Sequence, residues 1–373
     1  MKLGILKESI NENRVSITPD TLDSFQQLGF QIMMEKGAGE RASFTDKDYE
    51  KCKVEILERK FLFQEAQILT GIHAIPVEEV ASLNSEHFFV GTLLPLSQPK
   101  VIQALANSKA KLFSMDVIPR ITRAQTMDVL SSQATVAGYK AVLLAAFEYG
   151  RFFPMLTTAA GTIAPARVLI LGAGVAGLQA IATSRRLGAV VDVFDTRPEV
   201  KEQCMSLGAK FVEIEGAVTS ISSGGYAVEQ GEDYQRRQKE AIAKFAEKAD
   251  ILITTALIPG KRAPILITKE MVEKMRPGSV VIDLAAINGG NCELTQNEGV
   301  VVHNGVKILG ESSLPSKQPI DASRMYSKNI LNFLKLFFDK EKRFHLNMED
   351  EIINTCLIAD NGEIRHAPTL KLL

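Results

Sequence analysis

Three glycines, Gly172, Gly174 and Gly177, stand in the stretch LGAGVAGLQA at 171–180 with the spacing G-x-G-x-x-G. The apolar run RVLI precedes them and a helix-like stretch ending near Gly188 follows. The next strand-like segment, VVDVFD, stops on Asp195, eighteen residues beyond Gly177. In that order the motif closes a strand-to-helix turn on the pyrophosphate of a dinucleotide. Gly172 permits the tight turn, Gly174 lets the backbone approach the phosphates, and Gly177 lets helix and strand pack closely. Ala173 and Val175 lie between the glycines, where the helix start offers its N–H groups to the phosphates. Asp195 is expected to accept from the adenosine ribose hydroxyls. Its charge repels a 2′-phosphate and so favours NAD(H), while Arg197, just beyond Thr196, is the feature that would admit NADP(H).

Two later stretches follow apolar runs, at the carboxyl ends where a doubly wound sheet binds ligands. In TTALIPGK, Thr255, Ala256 and Leu257 are expected to flank the nicotinamide half through backbone and methyl contacts. In AAINGGNCE, Asn288, Gly289 and Gly290 suggest a flexible turn.

Strand-like and helix-like segments must hold these residues in place, and they alternate along most of the 373 residues. That alternation predicts an α/β protein with parallel sheets. KLGILKE opens a first unit that continues through KLFSMDVI at 111–118. A second offers six strand candidates: RVLIL, VVDVFD, KFVEI, DILITTA, SVVIDLA and VVHNGVKIL. Apolar spacing predicts one long helix from about Ala124 to Tyr149 and another over 322–338. The expected architecture is two Rossmann-like domains with parallel sheets joined by long crossing helices. The first would be residues 1–138 completed by 316–373, and the NAD-binding domain residues 139–315.

Composition narrows the function. Lys and Arg number 43 against 44 Asp and Glu, with no long basic run, so no nucleic-acid partner is expected. The four cysteines are scattered without metal-ligand spacing, which suggests reduced thiols and no metal. MKLGILKES lacks the apolar core of a secretion signal. The longest apolar runs, such as AVLLAAF at 141–147, fall short of the ~20 residues that span a bilayer, so no direct membrane insertion is expected.

The segment PRITRAQTMDVLSSQ at 119–133 gathers Arg120, Arg123, Gln125, Asp128, Ser131 and Ser132, and a solvated helix start accounts for all of them. With it, however, the resemblance to a known family becomes specific. RITRAQTMDVLSSQATVAGYKAV, GAGVAGLQA with VVDVFDTRPEVKEQ, SGGYA at 223–227, DILITTALIPGKRAPILITKEMV and MRPGSVVIDLAA resemble the NAD-binding soluble part of proton-translocating NAD(P) transhydrogenase, called domain I or the alpha-1 subunit. The likeness runs from LKES and NRVSITP to the C-terminal DNGEIRHAPT. It implies that Arg120, Gln125, Asp128 and Ser131 surround the nicotinamide and its ribose. It also implies that Gly174, Val175, Asp195 and Arg197 hold the pyrophosphate and adenosine end, and that a loop with Gly225 and Tyr226 closes over the nucleotide. Its further implications are a homodimer, NADP(H) on a partner subunit, and membrane-spanning subunits that attach this cytoplasmic chain to the inner membrane.

Alanine dehydrogenase shares the architecture, and an Arg matching Arg14 there takes the substrate carboxylate. Oxidising an amine also needs a base near the nicotinamide, which that family supplies from a Lys in a KEP-like motif and a His in a YLH-like motif. GIHAIP at 71–76 and GTLLP at 91–95 lack both residues at those points, although His73 lies nearby. Hydride passing between two nicotinamides moves no proton at the reacting carbon, so transhydrogenation predicts a site without them. An NAD-sensing module would need a DNA-reading helix or basic stripe, and neither is evident.

Overall fold

Short runs of large apolar residues form the parallel strands β1 (Lys2–Ile5), β2 (Gln31–Glu35), β3 (Glu55–Leu57), β4 (Ile68–Thr70), β5 (Phe88–Gly91) and β6 (Lys111–Ser114). Their order in the sheet is β3-β2-β1-β4-β5-β6, the doubly wound arrangement. Neighbouring side chains point to opposite faces. Ile68 and Phe113 therefore enter one apolar cluster while Leu69 and Leu112 enter another, and both faces are covered as a parallel sheet requires. Segment Leu357–Asp360 joins β6 antiparallel and Glu363–Ile364 joins that segment, which makes eight strands. This computed structural model describes residues 1–214, 232–258, 260–339 and 341–373. The chain divides into two units, 1–133 with 315–373, and 134–314.

The helix Glu351–Cys356 leads into the C-terminal strand. Its N-cap Asp350 accepts from the N–H groups of Ile352 at 2.9 Å and Ile353 at 3.4 Å, and pairs with Arg123 at 2.6 Å. The Arg123 hydrogen bond foremost holds the Asp350 carboxyl below the usual carboxylate range. Asp350→Ala should cost about 1 kcal/mol at neutral pH through the lost cap, with little added by the half-exposed ion pair. Because the folded-state pKa is depressed, this stability is present above about pH 4 and is lost as pH falls through the folded value. Urea titrations should show the gap between wild type and variant closing in acid; a gap independent of pH would refute the assignment.

In the second unit β7 (Leu156–Thr158) and β8 (Gly161–Ile163) form a separate antiparallel pair. The main sheet comprises β9 (Arg167–Leu171), β10 (Val190–Phe194), β11 (Lys210–Phe211), β12 (Ile251–Thr254), β13 (Val280–Asp283), β14 (Gly299–His303) and β15 (Val306–Gly310). Their order is β11-β10-β9-β12-β13-β15-β14, with only β14 antiparallel. The last strand candidate, VVHNGVKIL, is thus a hairpin rather than one strand. Asn304 and Gly305 turn it with φ of 49° and 78°, the Asn-Gly geometry that matches strand twist.

The long helix predicted from Ala124 begins later. Thr122–Met127 forms a 3₁₀ turn, and Asp128 separates it from the α-helix Val129–Glu148. With 20 residues and a mean hydropathy of 1.2 this helix is long and apolar enough to cross a membrane on composition alone. Ala141, Val142 and Ala145 are nevertheless fully buried in the core of the second unit. Gly138 lies so close to the Ala176 peptide that a Cβ there would stand 2.1 Å from its carbonyl oxygen. Helix Pro319–Leu334 lies within the first unit, where Asn329 holds the Thr126 carbonyl at 2.9 Å and Ser132 Oγ at 2.7 Å.

Candidate functional site

The glycine turn joins β9 to the helix Val175–Arg186. Gly172 has φ of +101°, and a Cβ on it would lie 2.5 Å from Thr255 Oγ1; a Cβ on Gly177 would lie 1.9 Å from the Gly172 carbonyl oxygen. Both positions therefore need glycine for protein geometry alone. Gly174 differs, because a Cβ there meets nothing within 4 Å. It caps the helix in an extended conformation and gives the first turn no side-chain acceptor. The first N–H groups of a helix lack intrahelical partners, so open space lies over an uncapped, electropositive helix start. Such a cradle fits a dinucleotide pyrophosphate. Val175 begins the helix, 40% exposed.

Asp195 follows β10 and reaches back to the turn, where its Oδ2 accepts from the buried Ala173 N–H at 2.7 Å. Arg197 supplies the other donors: its N–H at 2.8 Å and Nε at 2.9 Å to Oδ1, and Nη2 at 2.8 Å to Oδ2. The carboxylate thus already accepts four hydrogen bonds, about its full capacity. Thr196 is half-buried between the pair.

After β12, Thr255 donates its N–H to the Leu171 carbonyl at 2.9 Å and its hydroxyl to the Gly172 carbonyl at 3.1 Å. The Ala256 N–H and C=O are both bonded to Asn291, at 3.0 and 2.9 Å. The backbone contacts expected here are therefore largely used within the protein. The segment presents the Ala256 methyl and the Leu257 side chain, 39% exposed. The Asn288-Gly289-Gly290 turn, read as flexible, is tied at the Asn288 carbonyl to Ala263 N–H, at 2.8 Å. Gly225 and Tyr226 lie outside the described residues. Among the described residues no group of three or more His, Cys, Asp or Glu is placed to hold a metal.

The polar segment belongs to the first unit up to Gln133. Asp128 Oδ1 accepts from Ser131 N–H at 2.9 Å and Oδ2 from Ser131 Oγ at 2.6 Å, the bonding of a helix N-cap. Arg123 is taken up by Asp350. Arg120 and Gln125 are exposed.

Arg14 makes a contact that its sequence neighbours do not announce. Its Nε and Nη2 grip Glu12 at 2.9 and 2.6 Å, and its Nη1 donates to Gln133 at 2.8 Å. His73 Nε2 lies 2.9 Å from the same Glu12 carboxylate. Burial pushes the Glu12 carboxyl up, but the hydrogen bonds from Arg14 and His73 hold it well below the usual range. Glu12 so gives Arg14 the bidentate partner that a substrate carboxylate would otherwise supply.

Two doubly wound sheets, one bearing a glycine turn with its acid, define a protein of the dinucleotide-fold class. The chain belongs to the alanine dehydrogenase/PNT family: the N-terminal domain model matches residues 4–137 and the C-terminal domain model residues 141–367. It is 45% identical to the first of the chains that make up NAD(P) transhydrogenase subunit alpha in Rhodospirillum rubrum, over 98% of each chain. It is 30% identical to alanine dehydrogenase of Methanococcus maripaludis, over 79% of this chain and 74% of that one. The structure of a transhydrogenase from Sinorhizobium meliloti superposes with a TM-score of 0.89 at 40% identity, covering 98% of this chain and 100% of that one.

Proposed function

We propose that this chain is the NAD(H)-binding portion of the alpha subunit of a proton-translocating NAD(P) transhydrogenase, in which hydride passes directly between NADH held here and NADP⁺ on a partner subunit. The observation that carries the reading is the Asp195 carboxylate bonded to Ala173 N–H, which sets an acid beside the uncapped helix start. Relatives named as transhydrogenase subunits extend nucleotide binding to that reaction. The bound nicotinamide supplies the hydride chemistry. The chain's own residues bind and orient. Gly172, Ala173, Gly174, Val175 and Gly177 cradle the pyrophosphate, while Asp195, Thr196 and Arg197 hold the adenosine ribose. Thr255, Ala256 and Leu257 provide an apolar flank for the ring, and Arg120, Gln125, Asp128 and Ser131 orient the nicotinamide and its ribose. Positioning is the main contribution, since the reacting atoms must approach to about 3–3.5 Å. In this reading the chain forms a homodimer and attaches to the cytoplasmic face of the inner membrane through membrane-spanning partner subunits.

The Arg14–Glu12 pair favours this reading over an alanine dehydrogenase, because the arginine that would take a substrate carboxylate is already neutralised by its own chain. The isolated chain should bind NADH yet turn over neither alanine nor pyruvate, and hydride transfer should begin when an NADP-binding partner subunit is added. Pyruvate amination by the chain alone would overturn the assignment.

Asp195 also sets cofactor choice. A ribose hydroxyl can bond this carboxylate only by displacing one of the donors from the Arg197 side chain, whereas a 2′-phosphate meets its charge. Asp195→Ala should weaken NADH binding and release Arg197 toward a phosphate, so the preference for NADH over NADPH narrows by at least tenfold, about 1.4 kcal/mol. Side-by-side titrations measure this; an unchanged preference would remove Asp195 from the specificity determinants.

A further inference from the structure

Beyond the ends of β12 and β13 lies a buried polar network that the binding residues named above do not account for. Asp283, at the end of β13, is fully buried and accepts five hydrogen bonds. Its Oδ1 takes Thr254 Oγ1 at 2.8 Å and Ala285 N–H at 3.0 Å; its Oδ2 takes Asn291 N–H at 2.7 Å, Cys292 N–H at 3.0 Å and Thr295 Oγ1 at 2.6 Å. A buried carboxylate is tolerated at this cost only when it is fully bonded, and here the bonding draws the returning loop onto the strand end. That loop delivers Asn291, which is also fully buried. The Asn291 amide meets the Ala256 peptide groups as a strand partner would: Oδ1 accepts from Ala256 N–H at 3.0 Å and Nδ2 donates to the Ala256 carbonyl at 2.9 Å. The second Nδ2 hydrogen goes to the Pro264 carbonyl at 2.8 Å. Every donor of the amide is used, and the N–H of Ala256 fixes which end is oxygen.

We propose that Asn291, held by Asp283, is a positioning residue: its amide clamps the backbone of Ala256 and thereby sets the apolar shelf of Ala256 and Leu257 against which the nicotinamide ring lies. The inference rests on the NAD(H) reading above. The adenosine and pyrophosphate groups have separate supports at Asp195 and the glycine turn, so a fault in the clamp acts on the ring half of the ligand. Thr255 strengthens the separation. Its hydroxyl anchors the same segment to the Gly172 carbonyl, and the glycine turn therefore keeps one contact with the segment when Asn291 is altered.

The test titrates the full chain with NADH and with ADP-ribose, which has the adenosine and pyrophosphate but no nicotinamide. Asn291→Asp keeps the acceptor for Ala256 N–H but turns a carboxylate oxygen toward the Ala256 and Pro264 carbonyls. The variant should bind ADP-ribose within about twofold of wild type, bind NADH at least fivefold more weakly, and alter the emission of bound NADH. Lowering the pH from 8 to 5.5 should recover NADH affinity in this variant alone, at least threefold, because the protonated acid regains one donor. Thr295→Val, which removes one of five donors from Asp283 with little change of shape, should show the same selectivity at about twofold and serves if Asn291→Asp fails to fold. Equal losses for both ligands would make the network purely structural and overturn the proposal, as would unchanged NADH binding in both variants. Failure of the wild type to bind either ligand would instead overturn the nucleotide reading.

Discussion

Gly177→Ala is expected to abolish tight NADH binding and to destabilise the second unit. The new methyl would stand 1.9 Å from the Gly172 carbonyl oxygen and 2.9 Å from its carbon, where ordinary contacts lie beyond about 3.4 Å. Turn and helix would have to separate by over an ångström. The helix has little freedom to yield, because Ala180, Ile181, Thr183 and Ser184 are buried. Overpacking of this kind costs about 1–3 kcal/mol, and the shifted turn no longer directs its N–H groups at one pyrophosphate. NADH affinity should fall at least a hundredfold, about 2.7 kcal/mol. Gly174→Ala supplies the contrast. Its methyl meets no protein atom within 4 Å, so thermal stability should stay close to wild type while NADH affinity still falls, since the methyl occupies the cradle itself. Wild-type affinity in Gly174→Ala would show that the ligand does not approach this turn.

Gln125→Ala should leave NADH affinity within a few fold and slow hydride transfer to NADP⁺ by more than tenfold, a loss of over ~1.4 kcal/mol in transition-state stabilisation. The side chain is exposed, while its neighbours Ala124 and Met127 are buried and hold the 3₁₀ turn in place. Its backbone carbonyl accepts from Asp128 N–H at 3.3 Å, a bond that alanine preserves. The fold should therefore survive, and the effect should fall on chemistry. A neutral amide can hydrogen-bond a ribose or a carboxamide without exchanging a proton, which suits a reaction that moves none. Stopped-flow transfer with the NADP-binding partner measures the rate, and an undiminished rate would remove Gln125 from the reacting centre.

The glycine turn was legible in the sequence because its demands fall on residue type. A φ of +101° at Gly172 and a 1.9 Å approach at Gly177 admit one amino acid each, and spacing places them. The β14–β15 hairpin was equally legible, since Asn304-Gly305 is a strong turn signal, but the apolar run on either side concealed it. Asp128 and Ser131 could be read as a helix start, although the 3₁₀ turn before them could not, because apolar periodicity continues through it. The Arg14–Glu12 pair was not legible: two residues apart in an irregular loop, they could point anywhere, and His73 completes the cluster from 61 residues away. Asp283 was hidden for the same reason. Its five donors come from positions 254, 285, 291, 292 and 295, a convergence that exists only once β12 and β13 lie side by side.

The approach of Gly138 to Ala176 has a consequence for anyone engineering this protein. A glycine inside an α-helix is an obvious target for stabilisation, because alanine at such a site usually gains about 0.5–1 kcal/mol. Here the added methyl would stand 2.1 Å from the Ala176 carbonyl oxygen, in the first turn of the helix that the glycine motif opens. A change that looks remote in sequence would thus be a change to the ligand cradle. Position 138 belongs with residues 172–177 as one mutational locus, and consensus or propensity-based redesign that treats it as an ordinary helix position would trade binding for a stability it does not deliver.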